Sequence, residues 1–90
     1  MRLTCIVHGK VHGVFYRSFT KEIAQSLGLT GFVHNLPGDA VEVVAEGEEA
    51  RLSEFLQKLK TSYPYARVDR VDEIWSHAAG GYDNFRILRS

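Results

Sequence analysis

Leu3, Cys5 and Val7 alternate with Thr4, Ile6 and His8, which predicts a strand with both faces partly covered. Phe19, Ile23 and Leu27 then recur every four residues with Ala24 beside them, the apolar stripe of an amphipathic helix. Ser18 is its expected N-cap and Gly28 its expected left-handed stop. Residues 29–35 read as a second strand centred on Phe32 and Val33 and punctuated by Pro37-Gly38. In residues 41–45, Val41, Val43 and Ala45 alternate against Glu42, Val44 and Glu46, a third strand. Leu52, Phe55, Leu56 and Leu59 fall at i, i+3, i+4 and i+7 and predict a second helix. It is entered near Glu48 or Glu49, whose carboxylates favour a helix N-terminus, and Tyr63-Pro64 closes it. Across residues 66–75, Val68, Val71 and Ile74 recur every three positions. That breaks strict alternation, so the fourth strand is expected to carry a bulge or bend. A Gly80-Gly81 loop leads to a short last strand over residues 85–88.

This order is two βαβ halves, residues 2–36 and 40–75, plus a terminal strand, without a residue-level repeat between the halves. Right-handed crossovers put both helices on one face of the sheet. The expected fold is α+β: a ferredoxin-like α/β sandwich, βαββαβ plus a short C-terminal strand, with a mostly antiparallel sheet and the first and third strands central. The uncovered face should be mixed, with Thr4, His8 and Arg86 among its residues. No linker or low-complexity segment divides residues 1–90, so one domain is expected. Between the second and third strands, Pro37-Gly38 favours a type II turn with glycine at its third position and Asp39 at its fourth.

Composition narrows the function classes. The chain is 44% hydrophobic and 24% charged, the balance of a folded domain and not of a disordered one. Its formal net charge is zero. A nucleic-acid partner would call for a basic excess, and anchoring on an anionic membrane would too. No apolar run reaches transmembrane length, and no secretory apolar region follows Arg2. A cytoplasmic monomer is therefore expected, without nucleic-acid or membrane partners. Cys5 is the single cysteine and sits among inward-facing apolar positions, as a small core residue would. His8 and His12 are four apart but fall on a strand and a loop, with no further ligand to complete a set, so no metal is expected. The run from Glu46 to Glu49 reads as a helix entrance and solvated face, and Tyr63-Pro64-Tyr65 as loop packing.

The chemistry concentrates in the stretch Gly9-Lys10-Val11-His12-Gly13-Val14-Phe15-Tyr16-Arg17, which joins the first strand to the first helix. A glycine-marked strand-to-helix turn can aim several N–H groups at one point, and the helix adds its positive dipole end. Arg17 at the helix entrance can add a planar fork of donors that matches phosphate oxygens. Asn35, followed by Leu-Pro-Gly, reads by itself as turn chemistry. His34 should point away from its neighbour Asn35 if the strand continues.

That stretch resembles the first signature of the acylphosphatase family. Gly31-Phe32-Val33-His34-Asn35, continued through Pro37, Val41 and Gly47, resembles its second, and the likeness runs on to Phe85-Arg86-Ile87. The resemblance implies hydrolysis of acyl phosphates to a carboxylate and inorganic phosphate, with no metal and no organic cofactor. It implies a phosphate-binding loop of Val11, His12, Gly13, Val14, Phe15, Tyr16 and Arg17. Arg17 and Asn35 carry the catalytic roles in it, Arg17 binding phosphate and Asn35 positioning the attacking water. Three features depart from the family pattern. His12 stands where glutamine is more common, Gly38-Asp39 replaces Asp-Gly, and the Arg89-Ser90 ending does not align. No pocket for the acyl group is legible, which implies broad specificity. The alternative is a non-catalytic or accessory ferredoxin-like domain that binds another phosphate-containing ligand.

Overall fold

Leu3, Cys5 and Val7 are fully buried, and they set the inner face of the sheet. They stand on β1 (Arg2–Lys10) in a computed structural model that describes residues 1–89. Ser90, part of the ending that does not align, lies outside the described residues. The remaining elements are α1 (Tyr16–Ser26), β2 (Thr30–Leu36), β3 (Ala40–Glu46), α2 (Glu49–Thr61), β4 (Arg67–Ser76) and β5 (Phe85–Ile87). The sheet order is β4-β1-β3-β2-β5, so β1 and β3 are central as the sequence predicts. All pairings are antiparallel except β2 with β5.

Register explains the core. Leu3, Cys5 and Val7 pair with Ala45, Val43 and Val41 on β3, all of them buried. Leu52, Phe55, Leu56 and Leu59 of α2 and Ala24 of α1 join them from the helical layer. Each large side chain so buried contributes about 1.5–3 kcal/mol. Burial, with the Glu73 carboxylate adding to it, pushes the Cys5 thiol up to about 12. Cys5 is therefore an inert core residue, as its position in the sequence suggests.

Local rules explain the element ends, with one correction. Helix α1 starts at Tyr16, so Ser18 lies inside it and is not the cap. The N-cap is Phe15, in the left-handed region at φ 61°. The C-terminus behaves as expected. Gly28 adopts φ 68°, its N–H donates to the Gln25 carbonyl at 3.1 Å, and the Leu29 N–H donates to Ala24 at 2.9 Å. Those two bonds form a Schellman motif, with Leu29 and Ala24 both buried beneath it.

The irregularity expected in the fourth strand is present. His8 of β1 pairs with Arg70, but Gly9 pairs with Val68, so Asp69 is the extra residue of a bulge on β4. The bulge lets Val68 and Val71 pack against the same core despite their spacing of three. Ile74 does not continue that face. It pairs with Thr4 on the open side and is 66% exposed, while Trp75 packs inward in its place. Gly9 itself has no alternative: a Cβ there would sit 1.9 Å from the Arg67 carbonyl oxygen. Between β2 and β3, Gly38 takes φ 79°, the value that the third position of a type II turn requires.

Glu46 is also corrected. It is buried and not part of a solvated acidic face. Its carboxylate receives Arg2 Nη2 at 2.7 Å and Nε at 2.8 Å, and the N–H groups of Ala79 and Gly80 at 3.1 Å each. The clasp ties the start of β1 and the loop before β5 to the end of β3. Burial pushes the carboxyl up, but the Arg2 hydrogen bond, the Ala79 N–H, the Arg2 charge and the Gly80 N–H together hold it below its ordinary 4.5. Glu46 therefore contributes stability above that value and loses it as pH falls through the lower folded-state value. Glu46→Gln should cost about 2 kcal/mol at pH 7, the scale of hydrogen bonds to a charged group. Thermal melts of the two proteins should differ at pH 7 and converge in acid. An equal gap at both pH values would mean that the carboxylate's charge is not what stabilises the clasp.

Candidate active site

β1 and β2 are both antiparallel to β3, so they run parallel and leave the sheet at the same end. Val7, Val41 and Asn35 stand side by side across β1, β3 and β2. This places Asn35 about 10 Å across the sheet from Val7, at two strand spacings. The loop that follows β1 therefore begins beside the strand end that carries Asn35. Asn35 shares the helix-covered face with Val33, and α1 packs against β2 and β5 on that side. His34 lies on the opposite face, 2.6 Å from Glu42, as alternation predicts.

The loop of Val11, His12, Gly13, Val14 and Phe15 enters α1 through Tyr16 and Arg17. Gly13 and Phe15 are both left-handed, at φ 69° and 61°. A left-handed residue followed by right-handed helix turns successive N–H groups toward one point, here those of Phe15, Tyr16 and Arg17. Phe19 is the first helical N–H with a partner, the Phe15 carbonyl at 3.1 Å. Among the described residues, the N–H groups of residues 12–18 have no protein acceptor. The first turn of α1 also holds no acidic side chain. Unpaired donors and a positive helix end together make an anion site.

Four long-range hydrogen bonds hold the loop in shape. The Tyr16 hydroxyl donates to the Leu59 carbonyl of α2 at 2.8 Å. Burial, with the Cys5 thiol nearby, pushes that phenol far above its ordinary range, so it stays a neutral donor. The Tyr63 hydroxyl donates to the Val14 carbonyl. His12 Nε2 donates to the Ala40 carbonyl at the start of β3, and the Gly9 N–H donates to Asp39 at 3.0 Å. These last two bonds join the anion loop to the turn that follows Asn35. His12 and His8 have separate partners, and His8 meets Asp72 at 2.9 Å. Among the described residues, no group of three or more His, Cys, Asp and Glu side chains is arranged to hold a metal ion.

Charge is unevenly spread despite the zero total. Arg2, Arg51, Lys58, Lys60, Arg67 and Arg70 each have an acidic partner. Arg17, Lys21, Arg86, Arg89 and Lys10 have none among the described residues, and the first four line one groove of about 790 Å³. The groove also takes in Val11, Gly13, Phe15, Ser18 and Asn84, and no acidic residue lines it. Lys21 was not singled out from sequence, although it follows Arg17 by four residues and so shares its helix face. Arg89 had no local signal, because it lies in the ending that does not align.

Asn35 carries the other unusual feature. Its Oδ1 is buried and has no hydrogen-bond partner. Leaving a buried amide oxygen unpaired costs about 1–3 kcal/mol, so this acceptor is suited to a donor from outside the protein.

Comparison with known proteins agrees with this geometry. The acylphosphatase family model matches residues 3–87. An acylphosphatase of Dehalococcoides mccartyi is 45% identical over 86 residues, covering 94% of each chain. One from Thermus thermophilus is 47% identical over 79 residues, covering 88% of this chain and 90% of its own. The solved acylphosphatase of Bacillus subtilis superposes with a TM-score of 0.92 at 32% identity, covering 97% of both chains. HypF of T. kodakarensis matches with a TM-score of 0.84 at 31% identity, but over only 12% of its length. On its signatures, its fold and these likenesses, the chain belongs to the acylphosphatase family.

Proposed function

We propose that this chain hydrolyses acyl phosphates to a carboxylate and inorganic phosphate, with the loop of residues 11–17 holding the phosphate and Asn35 holding the attacking water. The buried, unpartnered Oδ1 of Asn35 at the loop's end of the sheet is the observation that carries the assignment of roles. A water that donates one O–H to this oxygen is satisfied by it and keeps a lone pair free for phosphorus. An amide cannot remove a proton, so Asn35 orients and does not act as base.

The remaining chemistry suits the groups present. The phosphoryl group carries its charge on oxygens that the free N–H groups of the loop and the Arg17 guanidinium can stabilise. Water oxygen bonds to phosphorus as the bond from phosphorus to the acyl oxygen breaks. The electron pair of that bond leaves with the carboxylate, which needs no strong general acid. One water proton passes to a phosphoryl oxygen, and the second stays on the new hydroxyl of inorganic phosphate. We propose further that the protein acts as a cytoplasmic monomer without cofactor, metal or nucleic acid.

The likeness to a small part of HypF favours a second reading, an accessory domain that binds another phosphate compound without turnover. One assay separates the two. Purified protein should accelerate hydrolysis of benzoyl phosphate or acetyl phosphate, and should keep its rate in EDTA. A rate equal to spontaneous hydrolysis would leave the accessory reading standing. Activity lost on chelation and restored by a divalent ion would overturn the mechanism drawn above.

A further inference from the structure

Phe15 bears two costs that the fold does not explain. It holds a left-handed backbone, which glycine adopts freely and a bulky residue does not. It also leaves its ring 79% exposed. The turn needs the backbone shape, but neither the turn nor the core needs the ring. Tyr65 is a second exposed ring, at 75%, set on edge against Tyr63 with centroids 5.5 Å apart. Phe15, Tyr65, Tyr63, Val14 and Gly13 line one cleft of about 450 Å³. Among the described residues Phe15 stacks on no other aromatic ring. The floor of the cleft is open at Gly13, where even an added Cβ would have no heavy atom within 4 Å.

The cleft adjoins the phosphate site, with Gly13 and Phe15 lining both. An acyl phosphate bound by the loop must project its acyl group out of the cradle. One way leads along the cationic groove past Lys21 and Arg89, and the other leads between Phe15 and Tyr65. Resting on the proposed activity, we infer that Phe15 and Tyr65 form an acyl-group subsite that selects aromatic or other bulky apolar acyl phosphates. A flat apolar group between two rings gains contact area and offset or edge-on ring geometry. Binding energy from this non-reacting part of the substrate can be used to position the phosphoryl group. On this inference, the broad specificity expected from sequence becomes a preference for bulky apolar acyl groups.

The test compares benzoyl phosphate with acetyl phosphate as a ratio of kcat/KM, which cancels any change in the cradle itself. The native protein should favour benzoyl phosphate by about tenfold or more. Tyr65→Ala and Phe15→Gly should each lower the ratio about three- to tenfold, the scale of one aromatic pair. Phe15→Gly keeps the left-handed backbone accessible, and Tyr65 is exposed, so both variants should fold. A second arm does not depend on turnover: calorimetric titration with benzylphosphonate and methylphosphonate. The benzyl compound should bind more tightly to the native protein and lose that advantage in Tyr65→Ala. Ratios unmoved in both variants overturn the subsite, as does equal affinity for the two phosphonates. So does a kcat/KM for succinyl phosphate above that for benzoyl phosphate, which would send the acyl group along the cationic groove. Failure to hydrolyse any acyl phosphate, with the phosphonate preference intact, overturns the proposed reaction and supports the apolar subsite.

Discussion

Arg17→Ala should lower kcat/KM for an acyl phosphate by at least about 10²–10³-fold, the effect of removing one oxyanion donor. Affinity for inorganic phosphate should fall with it, since product and transition state share that contact. Arg17 is half-buried at the entrance of α1 and has no acidic partner among the described residues, so its guanidinium is committed to no internal ion pair. Arg17→Lys should recover only part of the loss, because an ammonium keeps the charge but not the planar fork. Lys21, Arg86 and Arg89 remain in the groove after the substitution and preserve some of the field. They cannot replace donors placed at the cradle itself. Full activity in the alanine variant would make Arg17 one more solvated cation of this groove.

Asn35→Ala should behave differently, with most turnover gone and phosphate affinity close to native. A group that contacts only the attacking water contributes to the transition state and not to binding of the product. Such a variant lowers kcat and kcat/KM together. Removing the amide also removes a buried acceptor that lacks a partner, so folding stability should hold or improve. That result would separate a functional residue from a structural one, whose loss would lower the melting temperature. Asn35→Asp keeps the shape and adds a possible base, but its charge would face the phosphate and repel it. It should be poor as well. Initial rates and calorimetric titration with inorganic phosphate on the same variants give the answer. If Asn35→Ala loses phosphate affinity as badly as Arg17→Ala, the water-positioning role is wrong.

Net charge shows how far sequence totals reach. The sum of zero correctly describes the whole chain, yet it conceals a groove in which four unpaired cations gather without an acid. Those cations come from two distant stretches of the chain, Arg17 and Lys21 in α1 and Arg86 and Arg89 in and just after β5. Only the docking of β5 beside β2, next to α1, brings them together. The Glu46 clasp is similar. A carboxylate at the end of a strand reads as solvated until Arg2, Ala79 and Gly80 arrive from distant parts of the chain.

The elements and their order were legible because period-two and period-four patterns are local, and Gly28 and Gly38 mark their own turns through positive φ. The bulge in β4 was legible for the same reason, since an extra residue shifts the alternation that a reader counts. The glycine-marked turn and the place of Arg17 at the entrance of α1 were legible because both are built from consecutive residues. Ser18 misled because capping chemistry was available there, while the loop's left-handed exit at Phe15 starts the helix earlier. Ile74 misled because a spacing of three continued past the bulge that had produced it. What tertiary structure alone decided is the precision of the site. His12 reaches Ala40, Tyr63 reaches Val14, and Tyr16 reaches Leu59, each across 28 or more residues. Such contacts leave no periodic trace, because each depends on one donor meeting one carbonyl after the sheet and helices have packed.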